Sequence, residues 1–287
     1  TAVGYEALDK NTTAANNTAV GYASLNANTT GTQNVAVGSL AGDAMTTASY
    51  NTAVGYSALS SDTLGARNTA IGQEALASQN FTSATDSYNT AVGMNAGRLV
   101  TTGTYNTLIG GLAGDAITTG VRNTTMGYAS GGQLTTGSYN VALGMATLAA
   151  TTTQSNNTAV GYEALNQNTA ANNTAVGYSA LNVNTTGTTN VAVGYQALDA
   201  NTTAGSNTAV GSSALGANTT GANNTAVGAN SLLVSTTGLD NVAVGNLALT
   251  ANTTASYGTA VGKSALAANT TGASNTGLGF KALFANT

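Results

Sequence analysis

The stretch Asn16–Tyr22 reads NNTAVGY, and the same seven residues return at Asn156–Tyr162 and at Asn172–Tyr178. Looser copies fill the rest of the 287-residue chain. The glycine of each copy, called here the marker glycine, recurs every 17 residues, except for one interval of 21 after Gly72 and one of 16 after Gly161. A fixed period of this size is typical of a solenoid, in which each unit forms one coil stacked on its neighbours.

The repeat unit follows the consensus NTAVGYxALxxNTTGxx and is too short for two helices and a turn. Its Val and Thr are strong strand formers, and they stand in short alternating stretches bounded by Asn and Gly. Proline is absent, so every backbone N–H is free to join a ladder of hydrogen bonds. We therefore predict an all-β fold: a β-solenoid of 17 coils that runs over residues 1–287 as one continuous segment of a longer chain, with a four-residue insertion between Gly72 and Gly93. The marker glycines are Gly4, Gly21, Gly38, Gly55, Gly72, Gly93, Gly110, Gly127, Gly144, Gly161, Gly177, Gly194, Gly211, Gly228, Gly245, Gly262 and Gly279.

The composition excludes most chemistry. Cysteine and histidine are absent, which removes thiolate or imidazole metal ligands and the common nucleophilic triads. Six Lys and Arg residues in a chain of net charge −4 form no patch for nucleic acid, and no apolar run is long enough to cross a bilayer. Glu6, Glu74 and Glu163 share a place in the unit but lie many coils apart, so they do not form the carboxylate pair of a glycosidase. We expect neither enzymatic activity nor a cofactor.

Alternation along each strand predicts which residues face inward. The residue before the marker glycine is aliphatic in every unit, and the residue two places earlier is Thr or Val, so both are expected to point inward. The residue between them, the alanine column, is then expected to point outward. A stripe of alanine on a solvated face is unusual, and it predicts an oligomer interface where another copy packs closely. The interface so predicted comprises Ala2, Ala19, Ala36, Ala53, Ala70, Ala91, Ala142, Ala159, Ala175, Ala192, Ala209, Ala226, Ala243 and Ala260.

Two further columns co-vary. Most units carry Leu four residues after the marker glycine and a polar residue, usually Asn, three residues after that. In four units Gly replaces the Leu, and an aliphatic residue (Met45, Val100, Ile117 or Leu134) replaces the polar one. This exchange predicts that both positions fill one interior space. Asn also begins nearly every unit, which predicts ladders of amides that satisfy backbone groups at the corners.

One column combines aromatic and cationic side chains. Five residues before the marker glycine, six successive coils carry Tyr50, Arg67, Tyr88, Tyr105, Arg122 and Tyr139, called here the Tyr/Arg column. On a solenoid these side chains line up about 4.8 Å apart. Stacking that stiffens the coil is one interpretation, and a contact strip for a glycan or receptor is the other. Arg98 and Asp115, in adjacent coils, are expected to form an exposed ion pair.

The phrase NTAVGYxALxxNTTG resembles the repeats of phage and bacterial tail-fibre-type proteins, and more distantly the NSVAIG phrases in the heads of trimeric autotransporter adhesins. The first resemblance covers every unit of the chain. It implies an extracellular, cell-surface or virion-surface fibre segment, assembled as a parallel homotrimer, that supplies length and rigidity and contacts a cell-surface glycan or receptor.

An ice-binding solenoid is the alternative function, because a Thr pair recurs in most coils, as at Thr12 and Thr13 or Thr202 and Thr203. Adjacent residues of an extended chain point to opposite faces, so each pair offers one outward hydroxyl.

Overall fold

A computed structural model describes residues 1–286. Within these residues the fold is all-β and contains no helix, so no helix is present that could cross a membrane. The chain divides into two compact units, Thr1–Met145 and Ala146–Thr287. Each unit is a parallel β-solenoid with the predicted period, which confirms the predicted fold class.

The first unit contributes nine strands to the main parallel sheet, and a further two short strands pair with each other. The main strands are β1 (Ala2–Val3), β2 (Thr18–Val20), β3 (Val35–Val37), β4 (Thr52–Val54), β6 (Thr69–Ile71), β8 (Thr90–Val92), β9 (Thr107–Ile109), β10 (Thr124–Met126) and β11 (Val141–Leu143). The additional pair is β5 (Gly65–Ala66) with β7 (Thr85–Asp86).

The second unit contributes eight strands, one per coil. They are β12 (Thr158–Val160), β13 (Thr174–Val176), β14 (Val191–Val193), β15 (Thr208–Val210), β16 (Thr225–Val227), β17 (Val242–Val244), β18 (Thr259–Val261) and β19 (Thr276–Leu278). Within each unit, neighbouring strands pair in register, so that Ala192, for example, lies beside Ala175 and Ala209. A position of the repeat therefore becomes a column of side chains along the unit.

The marker glycine ends each strand at a corner that only glycine fits. At Gly194 φ is +140°, a conformation that side-chain-bearing residues rarely adopt. A Cβ atom built there would lie 2.5 Å from the carbonyl oxygen of Gly211 in the next coil. The invariance of this glycine along the chain therefore has a steric cause.

The alanine column points inward, so the prediction that it faces outward as an oligomer interface was wrong. Ala19, Ala36, Ala53, Ala70, Ala91, Ala142, Ala159, Ala175, Ala192, Ala209, Ala226, Ala243 and Ala260 are all buried within the single chain. Ala2 is exposed in the first coil, but it belongs to the same inward column. The flanking Thr and Val residues, expected inside, are half-buried or exposed.

The interior is narrow, which explains the alanine. A Cβ built on Gly97 would lie in contact with Leu108 Cδ1, and one built on Gly114 would lie 2.9 Å from Leu108 Cδ2. Leu108 occupies the alanine column, and the two glycines occupy the leucine column. The two columns thus share one space, and a large residue in either requires a small residue in the other.

The predicted exchange between the leucine column and the following polar column is confirmed, because both are interior. Leu181 and Asn184 of a regular coil are fully buried, as are the aliphatic residues of the four exchanged coils. The backbone of the leucine column is left-handed in both kinds of coil, with φ of +53° at Leu181 and +57° at Gly42. Leucine costs about 1–2 kcal/mol in this conformation, whereas glycine costs little, so the leucine coils accept backbone strain in return for a filled core.

The predicted amide ladder is also present. Asn207 Oδ1 accepts a hydrogen bond from the backbone N–H of Asn224 in the next coil at 2.8 Å. Its Nδ2 donates to the carbonyl of Gly221 at 2.9 Å. The same arrangement recurs from Asn17 onward, so buried amides satisfy corner groups that no strand pairs.

Candidate binding and assembly surfaces

The outer side of the main sheet, called here the strand face, carries the residues on either side of the alanine column. One column is Thr or Val, and the other is aliphatic in every coil. Ile71, Met126, Val191 and Val227 are among the residues more than a third exposed. No residue of the strand face is charged. Parallel sheets are normally covered on both faces, so this uncharged face is a candidate assembly surface.

The Tyr/Arg column forms a continuous stack across six coils of the first unit. The guanidinium carbon of Arg67 lies 4.7 Å from the ring centroid of Tyr50 and 5.7 Å from that of Tyr88. The rings of Tyr88 and Tyr105 are stacked with centroids 5.6 Å apart. Arg122 lies between the rings of Tyr105 and Tyr139, at 5.3 and 5.5 Å.

Stacking and exposure coexist in this column. The four tyrosines are each about half exposed, and all six residues have positive φ, between +49° and +65°. Left-handed backbone is costly for bulky residues, and cation–π contacts at exposed sites contribute about 0.5–1 kcal/mol each. Neighbours cover the flat faces of the inner rings, so the edges of these rings carry most of their exposed surface.

Two polar contacts fix the cations. Arg67 Nε pairs with Asp86 Oδ2 at 3.1 Å, and this hydrogen bond raises the pKa of Arg67. Arg122 Nη1 donates to the hydroxyl of Tyr139 at 2.8 Å. Within residues 1–286, Arg98 and Asp115 form no ion pair, so that prediction was wrong.

The four-residue insertion reshapes the surface beside the stack. It lies between Gln79 and Tyr88, and it carries β7, which pairs with β5 of the preceding coil. Next to this pair is an open cavity of about 410 Å³. Thr47, Ser49, Tyr50, Leu64, Thr85 and Asp86 are among the residues that line it.

A buried polar network anchors the insertion from inside. Gln79 Nε2 donates to Asp62 Oδ2 at 2.7 Å, and Asn89 Nδ2 donates to Gln79 Oε1 at 2.8 Å. The N–H of Gly65 donates to Asp62 Oδ1 at 2.9 Å. Burial raises the pKa of the Asp62 carboxyl, although these hydrogen bonds act in the opposite sense. Sequence reasoning missed this network, whose one signal was Asp and Gln in a column that is usually Asn.

The second unit has an aromatic stack in a different column, directly after the marker glycine. The rings of Tyr162, Tyr178 and Tyr195 stack in sequence with centroids 5.4 Å apart. They are exposed or nearly so. No cation is interleaved with them, which distinguishes this stack from the Tyr/Arg column.

The paired threonines place one hydroxyl in each coil against the neighbouring coil. Thr202 Oγ1 donates to the carbonyl of Thr219 at 3.2 Å, whereas Thr203 is exposed. The pair therefore presents one outward column.

The described part of the chain contains no cluster of three or more acidic, Cys or His side chains that could hold a metal ion. No protein-family model and no curated protein matches the chain. The strand face and the Tyr/Arg column with its adjoining cavity are the candidate surfaces for assembly and binding.

Proposed function

We propose that this chain is a structural and adhesive segment of an extracellular, cell-surface or virion-surface fibre, assembled from parallel copies of itself as a homotrimer through the strand face. The observation that carries the proposal is the uncharged aliphatic column on the outer side of the parallel sheet, whose residues are half-buried or exposed in the single chain. The alanine column, being interior, plays no part in the interface.

The absence of charge on this face supports self-association. The eight strands of the second unit, spaced about 4.8 Å apart and about 10 Å long, give a flat face of roughly 400 Å². The face is uncharged throughout and therefore complementary to another copy of itself, whereas a charged partner would be desolvated without compensation.

Sedimentation equilibrium of the chain tests the proposal, with a trimer of the 27.9 kDa chain as the expected result. The variant Val176→Lys/Val210→Lys places two charges on the strand face and should shift the mass to that of a monomer, because a buried unpaired charge is costly. Thr203→Lys, which changes an exposed residue outside the strand face, is the matched control and should remain trimeric. A monomeric wild-type chain would contradict the proposal.

Ice binding is the second candidate function, and the strand face also supports it. On that face a column of mostly Thr and an aliphatic column run in parallel, and successive residues within each column are about 4.8 Å apart. The paired threonines, by contrast, present a single outward column. Thermal hysteresis of the wild-type chain, abolished by Val176→Lys/Val210→Lys but retained by Thr203→Lys, would favour this function. A trimer without hysteresis would favour the fibre.

A further inference from the structure

We propose that the cavity beside the insertion binds one neutral saccharide unit, at a single site per chain. This inference rests on the adhesive part of the proposed function and names its ligand class. The cavity volume of about 410 Å³ lies near the lower end of the range for ligand sites, about 300–1,000 Å³, and suits a ligand of monosaccharide or disaccharide size.

The charges around the cavity favour a neutral ligand. Asp86 is the one charged residue in its lining, and Arg67 neutralises it through the 3.1 Å contact to Oδ2. An anionic ligand would meet the carboxylate, and a cationic ligand would meet Arg67, which already covers one face of Tyr50. A ligand without net charge meets neither penalty.

The polar groups of the lining suit hydroxyl groups. Ser49 Oγ accepts a hydrogen bond from the N–H of Thr32, which leaves its proton to donate. Thr85 Oγ1 donates to the carbonyl of Ser83, which leaves its lone pairs to accept. Asp86 Oδ1 is a further acceptor, since the ion pair is made by Oδ2. Residues with donors and residues with acceptors therefore line the same cavity, and a purely apolar ligand would leave these groups unpaired.

The remaining lining supplies apolar contact. Leu64 and Tyr50 both line the cavity. A sugar ring presents C–H groups on its faces and hydroxyls at its edge, and this lining offers partners for both. The site depends on the insertion, because Thr85 and Asp86 belong to β7, which exists in one coil only.

The test is binding of the fluorescently labelled full chain to an array of neutral hexose and N-acetylhexosamine oligosaccharides, with sialylated oligosaccharides as charged probes. We expect binding to at least one neutral probe, at one site per chain by calorimetry. Asp86→Asn should weaken that binding at least about tenfold, as loss of a hydrogen bond to a charged group predicts. Tyr50→Ser should also weaken it about tenfold or more, because the apolar contact of the ring is lost.

Tyr139→Ser is the matched control, because Tyr139 ends the same stack, has the same backbone conformation and loses the same kind of cation–π contact, but lies away from the cavity. It should bind as the wild type does. Equal loss in Tyr50→Ser and Tyr139→Ser would move the contact from the cavity to the whole stack and overturn the inference. Binding to sialylated probes alone, or to no probe, would also overturn it.

Sedimentation of each variant separates this inference from the proposed function. A trimer that binds no neutral saccharide would support the fibre proposal and contradict the saccharide site. A monomer that binds a neutral saccharide would support the saccharide site and contradict the proposed assembly. Urea unfolding of each variant checks that the cavity's surroundings remain folded.

Discussion

The two units share one repeat but fill their coils differently. The second unit is regular: leucine occupies its column throughout, and a buried polar residue, usually Asn, lies three residues further on. All four coils with the glycine–aliphatic exchange lie in the first unit, as do the insertion and the Tyr/Arg stack. The same backbone path therefore accepts two ways of filling the core, one with leucine and one with the glycine–aliphatic exchange. The less regular unit carries the cavity.

The exchange shows what each solution costs. A leucine coil has a filled core but a strained backbone at leucine. Where Asn follows the leucine, a second amide ladder forms, as in the 2.9 Å bond from Asn201 Nδ2 to Asn184 Oδ1. A glycine coil relieves that strain but breaks the ladder, since Met45 cannot donate to Asn28, whose buried Oδ1 has no partner. Each way of filling the core therefore has one gain and one cost.

The largest expected effect concerns a feature that both units share, the marker glycine. Gly110→Ala would place a Cβ 2.7 Å from the carbonyl oxygen of Gly127 at a φ of +127°, and we expect a loss of about 4 kcal/mol or more in the free energy of unfolding. The adjacent Gly111→Ala is the control: its Cβ would lie 3.7 Å from the ring of Tyr128, in ordinary contact. Urea unfolding measures both, and similar losses for the two variants would contradict the steric explanation.

A smaller effect comes from converting a regular coil into the exchanged kind. Leu181→Gly removes a fully buried side chain and should lower the free energy of unfolding by about 2–4 kcal/mol, after allowance for the strain that glycine relieves. Adding Asn184→Ile should restore more than half of the loss, because the isoleucine fills the same space, as Ile117 does in the first unit. The carbonyl of Gly187 would keep its hydrogen bond from Asn173. Restoration is incomplete because Asn168 Oδ1 and Asn201 Nδ2 would lose their hydrogen bonds to Asn184.

Urea midpoints of the single and double variants decide the matter. If adding Asn184→Ile to Leu181→Gly lowers the urea midpoint further, the two columns do not share one interior space. The reverse change, Gly114→Leu in the first unit, should also destabilise, since its Cβ would already lie 2.8 Å from Ile117 Cδ1.

The smallest expected effect is a pH dependence that differs between the units. Because burial raises the pKa of folded Asp62 above its ordinary value of 3.8, the carboxyl favours the folded state while it is protonated. That contribution is complete below about pH 3.8 and is lost as the pH rises through the higher folded pKa. Relative to Asp62→Asn, the wild type should therefore lose stability between pH 3.5 and pH 7.

Asp199→Asn is the comparison in the second unit. Burial also raises the pKa of Asp199, but this carboxyl is only partly buried, so the same sign and a smaller change are expected. Urea midpoints across this pH range, compared variant by variant, measure the difference. A change of opposite sign for Asp62 would mean that its hydrogen bonds from Gln79 and Gly65 outweigh burial.

Much of the fold was predictable because it follows from spacing. The 17-residue period predicted one coil per repeat unit. The exchange between the leucine column and the following polar column predicted that both columns lie inside the coil. The facing of the strand was not predictable from alternation alone, since period two divides residues into two sets without stating which set is interior. A signal was present but unused: Leu108 and Thr125, the large exceptions in the alanine column, occur where glycine replaces leucine.

The sequence by itself therefore determined the repeat, the strands and the columns, because a fixed period brings equivalent residues together once the coils stack. Only the tertiary structure decided that alanine is inside and the aliphatic column outside, because that depends on how little space a narrow coil leaves opposite leucine. The tertiary structure also decided where the cavity lies. Thr85 and Asp86 line it together with Tyr50 and Leu64 because of the path of the insertion, which the repeat period does not predict.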